Sequence, residues 1–157
     1  MIDGYQNTQG YIDVKKMWEQ LGMIVEVMHP EHHDRVLAMT SHIPQLIAYS
    51  IVATSTELEE SIKKEVIKYS AAGFRDFTRL AGNDPIMWRD VYSKNKDAVI
   101  EMLGRFSEDL SKLQKAIRND DIELLEKVFT STKEIRKLIE QAGQAGTFIP
   151  TERRKKS

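Results

Sequence analysis

The sequence predicts an all-α domain with a short helix-strand appendage at its N-terminus. Three observations lead there. Long stretches repeat apolar residues at intervals of three and four, the spacing of one helix face. Helix-start and helix-stop residues punctuate those stretches. Only one short run, Met23 to Met28, is apolar and β-branched enough to read as a strand.

Residues 1–13 read as a loose lead-in. Val14, Met17, Trp18 and Leu21 then share a helix face, and Gly22 is a stop signal. The Met23–Met28 strand cannot stand alone, so it needs a pairing partner from another chain or a missing domain. Pro30 suits the first turn of the next helix, where its missing N–H costs nothing. That helix carries Val36, Leu37, Met39, Ile43, Leu46, Ile47 and Ile51, with Pro44 inside it as a predicted kink or interruption. A helix over about 57–71 brings Leu58, Ile62, Val66 and Ile67 to one face. Asp84-Pro85 is a strong start, with Asp as cap and Pro at the first helical position. The long segment after it repeats Val99, Met102, Leu103, Phe106, Leu110, Leu113 and Ile117. Asn119-Asp120-Asp121 reads as a break and a new cap. A last helix uses Ile122, Leu125, Val128, Phe129, Ile135, Leu138 and Ile139 and ends near Gly143.

At 157 residues the chain is one domain by length, large enough to bury a core. No apolar run approaches the roughly 20 residues of a bilayer span. Met1 to Gly10 lacks the basic-then-apolar pattern of a signal peptide. With no cysteine there is neither a disulfide framework nor thiol chemistry, which fits a cytoplasmic setting. A net charge of −1 argues against a nucleic-acid partner. The one basic cluster, Arg153-Arg154-Lys155-Lys156, reads as a solvated tail. Neither nucleic acid nor membrane is therefore expected as a partner.

The chemistry concentrates in Gly73-Phe74-Arg75-Asp76-Phe77-Thr78-Arg79-Leu80-Ala81 and the following Asp84-Pro85-Ile86-Met87-Trp88-Arg89-Asp90. Arginine grips a carboxylate through two parallel hydrogen bonds, so the segment suits an acidic small molecule. The plainer reading is a surface ion-pair cluster of little energetic worth, and spacing alone favours it. His32, His33 and Asp34 suggest a metal, but neighbours along a helix do not face each other. His29 and His33 share a face without a third ligand at metal spacing, so no metal site is expected. Ser41-His42 precedes the Pro44 kink; a polar patch and a ligand-facing histidine both remain open. Trp88 reads as core, as do Met17, Met23, Met28 and Met39. Lys94 to Lys96 reads as a solvated face. The sequence contains no G-x-G-x-x-G loop, and no catalytic or cofactor-binding residue is assigned.

These segments occur in an order that resembles the C-terminal part of the prephenate/arogenate dehydrogenase family, the oxidoreductases of tyrosine biosynthesis. Trp18-Glu19-Gln20-Leu21-Gly22 resembles the family's Trp…Leu-Gly helix end. Glu31-His32-His33-Asp34-Arg35-Val36-Leu37-Ala38 is similar to its Glu-His-Asp helix start. Ser41-His42-Ile43-Pro44-Gln45 is similar to its Ser-His-Leu-Pro-His motif. The Gly73–Ala81 and Asp84–Trp88 stretches are nearly its signature. Ile135-Arg136-Lys137 and Glu140-Gln141-Ala142-Gly143-Gln144 resemble a late family helix. The resemblance covers about Val14 to Gln144.

It implies an all-α dimerisation domain like the C-terminal domain of 6-phosphogluconate dehydrogenase, interlocked with a second copy. In that picture residues 1–29 are a lead-in plus a helix-strand remnant of a missing nucleotide-binding domain. Residues 30–144 form the dimerisation and substrate domain, and 145–157 a basic tail. The family reaction passes hydride from prephenate or arogenate to NAD or NADP with loss of carbon dioxide. By the same resemblance Arg79 binds a substrate carboxylate, His42 and Trp88 line the pocket, and Asp76 reaches across the dimer interface. Gln45 stands where many members carry a second histidine; it hydrogen-bonds but cannot carry a proton. The family's glycine-rich loop and its catalytic Ser and His belong to the missing half. This chain alone is therefore expected to bind no cofactor and to be inactive, working with a separate nucleotide-binding domain or chain. Two other readings stand beside it: a free-standing binding or regulatory module for an acidic aromatic-pathway metabolite, and a purely structural helical dimer.

Overall fold

The structure, a computed structural model, describes residues 4–144. The Arg153–Lys156 cluster lies outside the described residues. Within them the chain forms eight α-helices and one π-helical turn: α1 (Gln9–Gln20), α2 (Pro30–Leu37), the π turn (Ala38–His42), α3 (Ile43–Thr56), α4 (Glu60–Lys68), α5 (Ala72–Ala81), α6 (Pro85–Lys94), α7 (Lys96–Arg118) and α8 (Ile122–Gln141). The all-α expectation holds.

α1 starts five residues before its first apolar stripe residue. Thr8 caps it, accepting a hydrogen bond from the Tyr11 amide, so part of the expected lead-in is helical. Its end is a Schellman motif: Gly22 takes φ +81°, its N–H donates to Glu19 O, and Met23 N–H donates to Trp18 O. The predicted strand at Met23–Met28 does not form. No ladder runs along residues 23–27, and Met28 makes a single bridge. A strand is stable only as part of a sheet, and the described residues supply none. The N-terminal appendage is thus a helix followed by irregular chain.

Pro44 neither stops nor breaks its helix. α2, the π turn and α3 form one continuous run of 27 residues, Pro30–Thr56. The proline is absorbed by widening one turn, in which Ile43 N–H donates to Ala38 O, five residues back. Because it continues through Pro44, this helix is long and apolar enough, by length and composition alone, to cross a membrane; its most apolar stretch has a mean hydropathy of 1.4. The sequence reading expects no apolar run of that length. The same helix supplies the centre of the fold: Ala38, Ile43 and Ala48 are all essentially inaccessible. Ala38 and Ile43 pack with Val99 of α7, and Ile47, Tyr92, Met102, Leu103 and Phe106 close around them. α5 lies along α3.

Asp84 caps α6, its carboxylate accepting from the amides of Ile86 and Met87. The segment after Asp84 is two helices rather than one, because Asn95 leaves helical geometry at φ −110°, ψ 35°. α7 closes with Asp120 in the left-handed region at φ +54°, and Asp121 caps α8. The chain divides into two compact units, with the boundary between Phe106 and Ser107 inside α7. The second unit carries an apolar groove lined by Leu110, Leu113, Ile117, Leu125 and Phe129.

Candidate functional site

His42 closes the π turn and is only 7% exposed. Three residues of the α6 end surround it. Trp88 and Tyr92, four apart on α6, present their rings edge-on to the imidazole at centroid distances of 6.1 and 6.4 Å. The Tyr92 hydroxyl donates to His42 O at 3.1 Å. Asn95, at the joint between α6 and α7, places its amide nitrogen 2.9 Å from Asp34 O and 3.1 Å from His42 Nδ1. Burial pushes the His42 pKa below the usual histidine value; Asp34 opposes that shift and His33 adds to it. Burial likewise raises the Tyr92 hydroxyl to about 12, with Tyr49 adding to the shift. Both groups are therefore neutral at pH 7. Among the described residues, Trp88 Nε1 is the one buried side-chain polar atom without a hydrogen-bond partner. A buried donor left open beside a neutral histidine is a feature that a ligand or water satisfies.

One helical turn along α3, Gln45 is 2% exposed and its amide is committed at both ends. Its Nε2 donates to Leu80 O at 2.8 Å, and its Oε1 accepts from Asn83 Nδ2 at 3.1 Å. Another turn on, the Tyr49 hydroxyl donates to Asn83 O at 3.1 Å. These three bonds clamp the end of α5 onto α3. Gln45 thus ties two helices together where the sequence suggested direct substrate contact.

The clamp fixes where Arg79 stands. Its side chain is 71% exposed, and its ion pair is a 3.9 Å approach of Nε to Asp76 on the preceding turn. At that length and exposure the pair contributes little and leaves the guanidinium fork available. Asp76 is exposed as well. Of the predicted site residues, His42 and Trp88 touch, Arg79 and Asp76 pair, and Gln45 joins the helices that carry His42 and Arg79. The sequence reading missed Asn83, Tyr49, Tyr92 and Asn95. In sequence Asn95 reads with its lysine neighbours as solvated surface; an asparagine interrupting a helical stretch is its available signal. No three His, Asp or Glu side chains converge as a metal site among the described residues.

Among the described residues there is no strand-turn-helix cradle of the kind that holds a dinucleotide's phosphates. Phosphates of such cofactors are cradled by a glycine-rich turn between a strand and a helix. The described residues are mostly helical, and the sequence has no such glycine pattern.

Comparison with known proteins agrees with this architecture. The sequence profile described as the prephenate dehydrogenase dimerization domain matches residues 29–131. A cyclohexadienyl dehydrogenase of Zymomonas mobilis is 35% identical over 134 residues, covering 85% of this chain and 46% of that enzyme. A prephenate dehydrogenase of Bacillus subtilis is 35% identical over 109 residues, covering 69% of this chain and 29% of that enzyme. The crystal structure of an A. aeolicus prephenate dehydrogenase in complex with hydroxyphenyl propionate and NAD+ superposes with a TM-score of 0.76 at 35% identity. That superposition covers 84% of this chain and 46% of the enzyme. The chain belongs to the prephenate dehydrogenase dimerisation-domain family. It spans less than half the length of these relatives.

Proposed function

We propose that this chain is the substrate-side, dimer-forming part of a prephenate or arogenate dehydrogenase, an oxidoreductase of tyrosine biosynthesis in the cytoplasm. In this reading residues 30–144 form the working domain, residues 1–29 lead from a nucleotide-binding half, and that half supplies the NAD or NADP chemistry. The chain by itself binds no cofactor and turns nothing over. Its own task is to grip and orient a carboxylate-bearing ring.

Arg79 carries the reading. An exposed guanidinium on a helix end that is clamped in place is pre-organised for bidentate contact with a carboxylate. His42 and Trp88 offer a neutral, partly aromatic wall for the ring. Gln45 holds that wall and the arginine in register, and Asp76 orients the arginine or reaches a second copy.

The test is NADH or NADPH formation from prephenate by the purified chain mixed with a separately produced nucleotide-binding domain of the family. Turnover is expected only with both pieces present. Calorimetry of prephenate binding to the chain runs alongside. Arg79→Ala should weaken that binding by about 10–100-fold, the loss of one charge-assisted hydrogen-bonded pair, with no change in thermal stability. Turnover by the chain alone, or binding indifferent to Arg79→Ala, would overturn the proposal. A stable dimer that ignores prephenate would instead mark a purely structural role.

A further inference from the structure

We infer that Asn95 is a positioning residue that fixes the tautomer of His42, so that Nε2 carries the ring proton and serves as a hydrogen-bond donor toward the bound substrate. Four observations carry this. The first is the amide orientation. A backbone carbonyl only accepts, so the Asn95 atom lying 2.9 Å from Asp34 O is its NH2 nitrogen. The second is that this same nitrogen lies 3.1 Å from His42 Nδ1. An amide nitrogen has two hydrogens and no acceptor capacity, so Nδ1 must accept and be bare. A neutral imidazole with Nδ1 bare holds its proton on Nε2.

The third is rigidity. Asn95 sits at the α6–α7 joint, where its own N–H donates to Val91 O and its carbonyl accepts from Val99 N–H. Tyr92, from the same helix end, pins the His42 backbone through its hydroxyl. The imidazole is thus gripped on its Nδ1 side and on its main chain by residues of one short segment. The fourth is that the ring's hydrogen bond among the described residues is made at Nδ1, to Asn95, and none is made at Nε2. A ring N–H donor left open at Nε2 suits an acceptor on the ligand: a carboxylate or a ring oxygen. The desolvated setting of His42 agrees, since it favours the neutral ring. The donor role rests on the substrate reading proposed above; the tautomer assignment does not.

The experiment is long-range proton–nitrogen correlation NMR of the full chain with 15N-labelled histidine at pH 7.5. The chain has four histidines, and a His42→Gln spectrum assigns the signal. The expected wild-type pattern is a bare, pyridine-type Nδ1 and a protonated, pyrrole-type Nε2. In Asn95→Asp the carboxylate can only accept, so the proton should move to Nδ1 and the pattern should reverse. A wild-type ring protonated at Nδ1 would overturn the assignment, and that spectrum decides it even if a variant fails to fold. An unreversed pattern in a folded Asn95→Asp would overturn it too. Prephenate added to the wild-type chain should shift the Nε2 resonance more than the Nδ1 resonance. An unmoved Nε2 would overturn the donor role while leaving the tautomer assignment standing, and so separates the two claims.

Discussion

Gln45 shows how a residue's chemistry and its position can point to different roles. Beside a ligand-lining histidine in sequence, an amide reads as a substrate contact. Folded, both of its polar ends serve the α3–α5 clamp, and almost none of it reaches solvent. Leu80 O and Asn83 both lose a partner if it is removed. Gln45→Ala should therefore destabilise the chain by about 1–3 kcal/mol, read by urea denaturation. A change under half a kilocalorie would mean that the clamp is not structural. Arg79 is the reverse case: the chemistry of its side chain suits a carboxylate, and the structure leaves it exposed and loosely paired. His42 was legible as a candidate but not as a buried, neutral ring. Its partners arrive from 46 to 53 positions away along the chain, beyond any local pattern.

At the scale of single elements the punctuation was mostly readable. Pro30, Asp84-Pro85, Asp121 and Gly143 end or begin helices as expected, since capping depends on a few adjacent residues. Asp84→Ala should cost about 1 kcal/mol through the two amides it leaves uncapped; thermal melting against wild type measures it, and an unchanged midpoint would refute the cap's role. In sequence Pro44 reads as a kink or an interruption, because a proline removes one donor and crowds the preceding turn. Which relief the chain takes, a bend or a widened turn, depends on packing. Here Ala38 and Ile43 on either side of that turn are held in the core, and the helix continues through a widened turn. The Met23–Met28 strand failed for a similar reason. Composition describes what a segment favours, while a strand needs a neighbour that composition cannot provide.

Over the whole molecule the marked feature is apolar surface left bare. Ile117 at 64% and Phe129 at 58% are exposed on α7 and α8, and Ile122, Ile135 and Leu138 are exposed as well. Amphipathic helices of this length pack their apolar faces on something. In keeping with the family's dimerisation domain, the proposed cover is a second copy of the chain. Ile117→Glu places a charge on that face without disturbing a buried contact within the chain. It should turn a dimer into a monomer in sedimentation velocity while leaving helix content unchanged. A wild-type chain that sediments as a monomer would sink the proposed dimer.

The sequence by itself determined the all-α class and most helix boundaries. Those rest on periodicity and capping, which are local. Tertiary structure alone decided that the Pro30–Thr56 helix is continuous, that Gln45 is a buried tie, and that Asn95 and Tyr92 grip His42. Each of those depends on groups brought together from distant parts of the chain, and only the packed helices say which of them meet.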